Sequence, residues 1–209
     1  MKDLLFPNLI TYINQLAVED LPQERKTVLN TLTEFIQKKT DKKEVCNLNF
    51  ICTHNSRRSH LCQIWAQSMA SFFDFSNVFI YSGGTEVTAM HPQIVYILRD
   101  VGFSLNSLSK GENVVYRVGY GKNLPNIMGF SKLFNDEFNP QSQFCAIMTC
   151  SQAAETCPFI PGAEKRIALT YEDPKEFDGL PNAFEKYKER SEQIAVEMKY
   201  VFSQIELKK

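Results

Sequence analysis

Apolar residues in the first 44 positions recur at helical spacing in two stretches. Leu5, Leu9, Tyr12, Ile13 and Leu16 share one face, and after Asp20-Leu21-Pro22 a second stripe holds Val28, Leu29, Leu32, Phe35 and Ile36. That stripe runs out in Lys38-Lys39-Thr40-Asp41-Lys42-Lys43, which reads as a solvated connector. From Val45 the pattern alternates between short apolar runs and helical stretches. It predicts strands at 46–51, 78–82, 144–149 and near 166–170, and helices at 59–73, 91–101 and 182–206. Within 104–142, the runs Val114–Gly121 and Asn126–Phe130 flank Lys122-Asn123-Leu124-Pro125 and predict a hairpin-like insertion over about 110–135. Strands alternating with helices predict an α/β fold, a parallel sheet covered by helices on both faces. Residues 1–44 are then an N-terminal helical extension to a domain spanning 45–209. With every chemical residue beyond Val45, that extension looks removable.

Composition removes whole classes of function. Of the 209 residues, 44% are hydrophobic and 22% charged, and Lys plus Arg (23) nearly balance Asp plus Glu (24). No basic field favours nucleic acid, and no basic amphipathic helix or long apolar run favours a membrane. The N-terminal stretch lacks a basic leader, so a cytoplasmic location is expected. Six cysteines in a chain of this size do not make a secreted disulfide framework, and thiols in a reducing compartment are the expectation.

The densest chemistry is Cys52-Thr53-His54-Asn55-Ser56-Arg57-Arg58, between the apolar run Leu48–Ile51 and the helical pattern starting at Ser59. A strand-loop-helix of this length turns backbone N–H groups inward at a helix N-terminus, a concave nest for a tetrahedral oxyanion. Residues 53–57 and Ser59 are its candidate lining. The same nest favours a Cys52 thiolate nucleophile, and the planar fork of Arg58 matches two oxygens of such an anion. The plainer alternative, a small buried cysteine at a strand end, sits poorly with a histidine and two arginines in the next six positions.

Two later features add to it. Cys150 follows the strand at 144–149, and Cys157 comes seven residues on, before Pro158. The small and polar spacer suits thiol–disulfide exchange, although unrelated buried thiols have the same spacing. Cys145 and Cys150 fall on opposite strand faces, which disfavours zinc, so no metal or other cofactor is expected. Asp173-Pro174 follows the last predicted strand, where Asp173 either opens a turn or serves as an acid leaning over the loop.

Taken together, Phe50-Ile51-Cys52-Thr53-x-Asn55-Ser56-x-Arg58-Ser59, Tyr81-Ser82-Gly83-Gly84, Cys150-x₆-Cys157-Pro158 and Asp173-Pro174 resemble the low-molecular-weight tyrosine phosphatase superfamily. The stronger likeness is to its thioredoxin-coupled arsenate reductases. The resemblance covers roughly 46–206, outside the extension and the insertion. It implies a flavodoxin-like four-stranded parallel sheet, an arsenate nucleophile at Cys52, a relay through Cys150 and Cys157 to thioredoxin, a general acid at Asp173, and loop support from Ser82 against Asn55. Lys175 after Asp-Pro, where the phosphatases carry tyrosine, favours the reductase branch. Three positions depart from the family pattern: His54 stands for a usual glycine, Arg57 for a small or apolar residue, and Gln63 for a glutamate. The alternatives are a phosphotyrosine phosphatase using Cys52, Arg58 and Asp173 alone, and a non-catalytic phosphate-binding module.

Overall fold

A computed structural model of the chain describes residues 2–156 and 159–207. Helices α1 (Pro7–Gln15) and α2 (Gln23–Asp41) precede the first strand, β1 (Cys46–Cys52). Then follow α3 (Arg58–Phe72), β2 (Val78–Gly84), α4 (Pro92–Asp100), β3 (Ser104–Ser107), β4 (Tyr116–Gly119), β5 (Ile127–Gly129), β6 (Phe144–Met148), α5 (Ser151–Thr156), β7 (Ala163–Ala168) and α6 (Ala183–Ser203). Four strands form one parallel sheet in the order β2-β1-β6-β7, the α/β architecture the alternation predicts. Strands β3, β4 and β5 form a separate antiparallel sheet, so the expected hairpin β4–β5 gains a third strand.

Side-chain alternation divides the core. Leu48 and Phe50 of β1 and Cys145 and Ile147 of β6 point into a large apolar cluster with residues of α1, α2, α3, α4 and α6. Ile51 of β1 and Phe144, Ala146 and Met148 of β6 point the other way, into a smaller cluster closed by Ala153 of α5 and by Ile160. Leu9, Ile13, Leu29, Leu32 and Ile36 are fully buried in the large cluster, so the N-terminal helices share the core of the sheet. The last strand starts at Ala163, earlier than the apolar run Ile167-Ala168-Leu169 suggests, because its pairing with β6 begins at Phe144↔Ala163.

The strand order reverses direction between β1 and β6, whose register pairs Ile51 with Met148. Loops leaving the carboxyl ends of two such strands splay apart and open a crevice. Cys52 ends β1 at that rim, and Cys150 lies two residues beyond β6.

Candidate active site

The loop from Cys52 to Arg58 is shaped by where its carbonyls go. Cys52 O accepts from Thr85 N (3.1 Å) and Thr53 O from Glu86 N (2.8 Å). His54 O accepts from Ser131 Oγ (2.9 Å) and Thr88 Oγ1 (3.0 Å), and Ser56 O from His91 N (3.0 Å). In a trans peptide the N–H of the next residue points opposite to the carbonyl. The amides of Thr53, His54, Asn55 and Arg57 therefore turn to the other side, and that of Asn55 reaches Cys52 Sγ at 3.2 Å. Gly84 makes the outer packing possible: a Cβ there would lie 2.7 Å from Thr53 O and 2.8 Å from Asn55 N.

Asn55 is the pivot of the loop. It takes φ +43°, a left-handed conformation that asparagine tolerates better than most residues. Its Nδ2 donates to Ser59 Oγ (2.8 Å), and its Oδ1 accepts from Lys132 N (3.0 Å). With its oxygen accepting from Asn55, the Ser59 hydroxyl has its proton for Cys52 Sγ, 3.1 Å away. Two donors thus face a buried sulfur. His54 keeps a negative φ, so the histidine replaces the family glycine without a left-handed backbone. Its ring leaves the nest, with Nδ1 3.0 Å from Glu86 Oε2.

Two of the expected contacts take a different form. Ser82 does not reach Asn55, because both ends of the Asn55 amide are already engaged. Its hydroxyl donates instead to Gln63 Oε1 (2.7 Å) and lies 3.4 Å from His60 Nδ1. Arg57 does not point its guanidinium into the nest. Nε donates to Tyr187 Oη (2.5 Å) and Nη2 to Asp178 Oδ2 (2.6 Å), bonds that draw the side chain towards α6.

Arg58 opens α3 at the end of the loop. Its Nη1 donates to Tyr171 O (3.0 Å), and its Nη2 pairs with Asp173 Oδ2. The other carboxylate oxygen of Asp173 accepts from Lys175 N (3.1 Å) and caps the short 3₁₀ turn Pro174–Phe177. Fork and acid thus meet at the mouth of the loop, in a cavity of about 470 Å³ whose walls include Arg58, Ser151, Tyr171, Asp173, Arg25 and Arg190.

Cys150 is buried at the start of α5, where Ala153 N donates to its sulfur (3.4 Å). Thr53 Oγ1 lies 3.5 Å from the same sulfur, so the second cysteine touches the oxyanion loop. Cys157 lies outside the described residues. Cys46, Cys62 and Cys145 are buried elsewhere in the core, and burial pushes their thiols up, Cys46 to about 12. They are poor nucleophiles.

One residue of the site carries no sequence signal. Lys132 is 1% exposed, its ammonium 4.3 Å from the Phe130 ring centroid and 5.3 Å from that of Phe138. Burial lowers its pKa to about 8. Its backbone amide holds Asn55, so the 130–132 segment supports the loop from behind. Among the described residues no group of His, Cys, Asp or Glu is clustered to hold a metal ion.

No protein-family model matches the sequence. The chain is 25% identical over 150 residues to arsenate reductase 2 of Staphylococcus epidermidis, covering 68% of this chain and 95% of that protein. It is 27% identical over 130 residues to the arsenate reductase of Bacillus licheniformis, covering 62% and 75%. Among solved structures, an arsenate reductase in the phosphate-binding state superposes with a TM-score of 0.50 at 16% identity, over 77% of this chain and 99% of that one. A low-molecular-weight phosphotyrosine phosphatase from Vibrio cholerae O395 does so with a TM-score of 0.50 at 13% identity, over 76% and 94%. The chain shares its fold with arsenate reductases and low-molecular-weight phosphotyrosine phosphatases. The N-terminal helices reach this region through Arg25 in the cavity wall, and the segment after β5 reaches the loop through Lys132.

Proposed function

We propose that the chain is a cytoplasmic arsenate reductase that passes its oxidation through cysteines to a dithiol protein of the thioredoxin class. The observation that carries this reading is Cys150, buried against Thr53 at the strand end next to Cys52, where a phosphatase needs no second thiol. The curated relatives named arsenate reductase support it. The Cys52 thiolate attacks arsenate and forms a sulfur–arsenic bond. The departing oxygen leaves as water, protonated by Asp173, while Arg58 and the loop amides hold the remaining oxygens. Cys150 then attacks Cys52 sulfur, and the sulfur–arsenic electron pair leaves with arsenic as arsenite. Two thiols supply the two electrons, leaving a Cys52–Cys150 disulfide. Cys157 is the residue for the following exchange, giving Cys150–Cys157 and a free Cys52, and the external dithiol reduces that pair. Hydrolysis of an aryl phosphate needs only Cys52, Arg58 and Asp173, so it is expected as a side activity.

Single-turnover chemistry tests the relay. Cys150→Ser should hold arsenic on Cys52 and release little arsenite. Cys157→Ser should release about one arsenite per chain, since one thiolate attacks per step, and accumulate Cys52–Cys150, visible by mass spectrometry of trapped disulfides. If both variants reduce arsenate through many turnovers as fast as wild type, the relay is wrong.

A further inference from the structure

Two adjacent arginines leave the oxyanion loop in different directions, and the second direction has a purpose of its own. Arg57, Asp178 and Tyr187 close a three-membered ring of hydrogen bonds. Arg57 Nε donates to Tyr187 Oη (2.5 Å), Arg57 Nη2 to Asp178 Oδ2 (2.6 Å), and Tyr187 Oη to Asp178 Oδ1 (2.5 Å). Tyr187 is fully buried, Arg57 is 9% exposed, and the His91 ring stacks on Tyr187 at 5.3 Å between centroids. Asp178 follows Asp173 by five residues in one irregular segment, whose regular structure is the four-residue turn Pro174–Phe177. A segment of that kind has little stability of its own, and its position is set by what ties it down.

Near Asp173 those ties are few. Tyr171, at the start of the segment, is anchored by Thr149 O (3.1 Å from its N) and by its own Oη on Glu197 (2.7 Å). Among the described residues, however, the Asp173 carboxylate has only the local amide of Lys175 and the Arg58 guanidinium, which also holds Tyr171 O. The Arg58 tie is the one that substrate disturbs. A guanidinium closing its fork on two oxygens of a bound oxyanion competes with its own bond to Asp173. At the moment Asp173 is needed as an acid, its segment depends on the neighbouring arginine.

We propose that Arg57 is a positioning residue, latching the Asp173 segment over the loop through Asp178 and Tyr187. Arg58 is thereby left to the oxyanion. The latch rests on the reading of Asp173 as the general acid. It assigns Arg57, Asp178 and Tyr187 to proton delivery, with no contact to substrate.

The test uses full-length protein and two aryl phosphates. Dinitrophenolate leaves without protonation, whereas phenolate needs the acid. Asp178→Ala should lower kcat on phenyl phosphate by about tenfold or more, out of the ~10²–10⁴ that an acid contributes. On dinitrophenyl phosphate kcat should stay within about twofold, with KM little changed on both esters because the nest and Arg58 are intact. Tyr187→Phe keeps the ring stacked on His91 and removes one hydroxyl, so it should give a smaller loss of the same selectivity even if Asp178→Ala folds poorly. Arg57→Lys should fall between wild type and Asp178→Ala. In parallel, backbone amides of 171–180 should exchange hydrogen faster in Asp178→Ala than in wild type, with α3 unchanged. Equal losses on both esters, or no change in exchange, would overturn the latch. Wild-type protein inert on both esters and on arsenate would sink the functional reading instead, and the exchange comparison, which needs no turnover, still decides the latch.

Discussion

Replacing Arg25 by methionine should destabilise the whole chain, because Arg25 in α2 is paired with a buried carboxylate of α6. Arg25 Nε and Nη2 donate to the two oxygens of Glu197 at 2.7 and 2.8 Å. Glu197 is 1% exposed on α6 and also accepts from Tyr171 Oη (2.7 Å) and Gln193 Nε2 (3.1 Å). Removing the arginine leaves a buried carboxylate with neutral donors only, a loss of about 3–5 kcal/mol. For a chain of this size each kcal/mol moves Tm by roughly 2–4 °C, so a fall of about 6–20 °C is expected. Thermal denaturation followed by circular dichroism measures it. The control is the double variant R25M/E197Q, in which the stranded charge is gone while the amide oxygen still accepts from Tyr171. It should recover about 1–3 kcal/mol of the loss, the coupling expected for partners in one network. A Tm for R25M within a degree or two of wild type, or a double variant no more stable than the single, would refute the claim that the pair is held by its buried charge.

Three further outcomes follow from the same structure. The sequence pattern makes residues 1–44 look removable, but Leu5, Leu9, Ile13, Leu16, Leu29, Leu32, Phe35 and Ile36 are at most 7% exposed. At about 1.5–3 kcal/mol each their burial outweighs a stability of ~5–15 kcal/mol, so a chain starting at Val45 should be insoluble or unfolded by sedimentation and circular dichroism. Arg58→Lys should lower arsenate turnover about 10–100-fold, the cost of one or more lost charge-assisted bonds, and near-full activity would remove Arg58 as the clamp. Burial, reinforced by Lys132, pushes His60 down to about 3, so the folded chain keeps it neutral while the unfolded chain protonates it near pH 6.5. Its stability contribution is complete above about pH 6.5 and is lost as pH falls towards 3, by at most ~1.4 kcal/mol per pH unit. His60→Gln should flatten the acid limb of a Tm–pH curve by up to that slope, and an unchanged limb would contradict the assignment.

How much of this is legible in sequence depends on how local the cause is. The strand, loop and helix around Cys52 announce themselves because all three signals lie within about 25 consecutive residues. The hairpin β4–β5 shows in the same way, through two aromatic and β-branched runs about a turn apart. Strand β3 does not, since Ser-Leu-Asn-Ser offers one apolar residue and owes its conformation to pairing with β4. Lys132 reads as a surface lysine and is buried only because Phe130 and Phe138 close over it. Asp178 in Phe177-Asp178-Gly179 reads as an ordinary turn acid, and Arg57 as added charge beside the anion. Their pairing spans 121 residues, and no periodicity carries it. The expected Ser82–Asn55 contact fails for a related reason. Asn55 is satisfied from Ser59 nearby and from Lys132, which the insertion supplies.

That division between local and distant causes has a consequence for chemistry. In the proposed mechanism the groups that hold an oxyanion come from one short stretch, Cys52 to Ser59, and their geometry follows from where a single loop sends its carbonyls. The groups that would set the proposed acid come from three distant places: Asp178 beside the turn, Tyr187 on α6, and Arg25 with Glu197 behind Tyr171. Substitutions in the first set alter ground state and transition state together, because the same amides touch the anion in both. Substitutions of Asp178 or Tyr187 leave the nest intact and shift the Asp173 segment, so they should separate kcat from KM. The extension and α6 bear on Arg58 as well: Arg25 holds Glu197, Glu197 accepts from Tyr171 Oη, and the carbonyl of Tyr171 is one of the two groups that hold the Arg58 fork, so substitutions of Arg25 should change KM together with kcat.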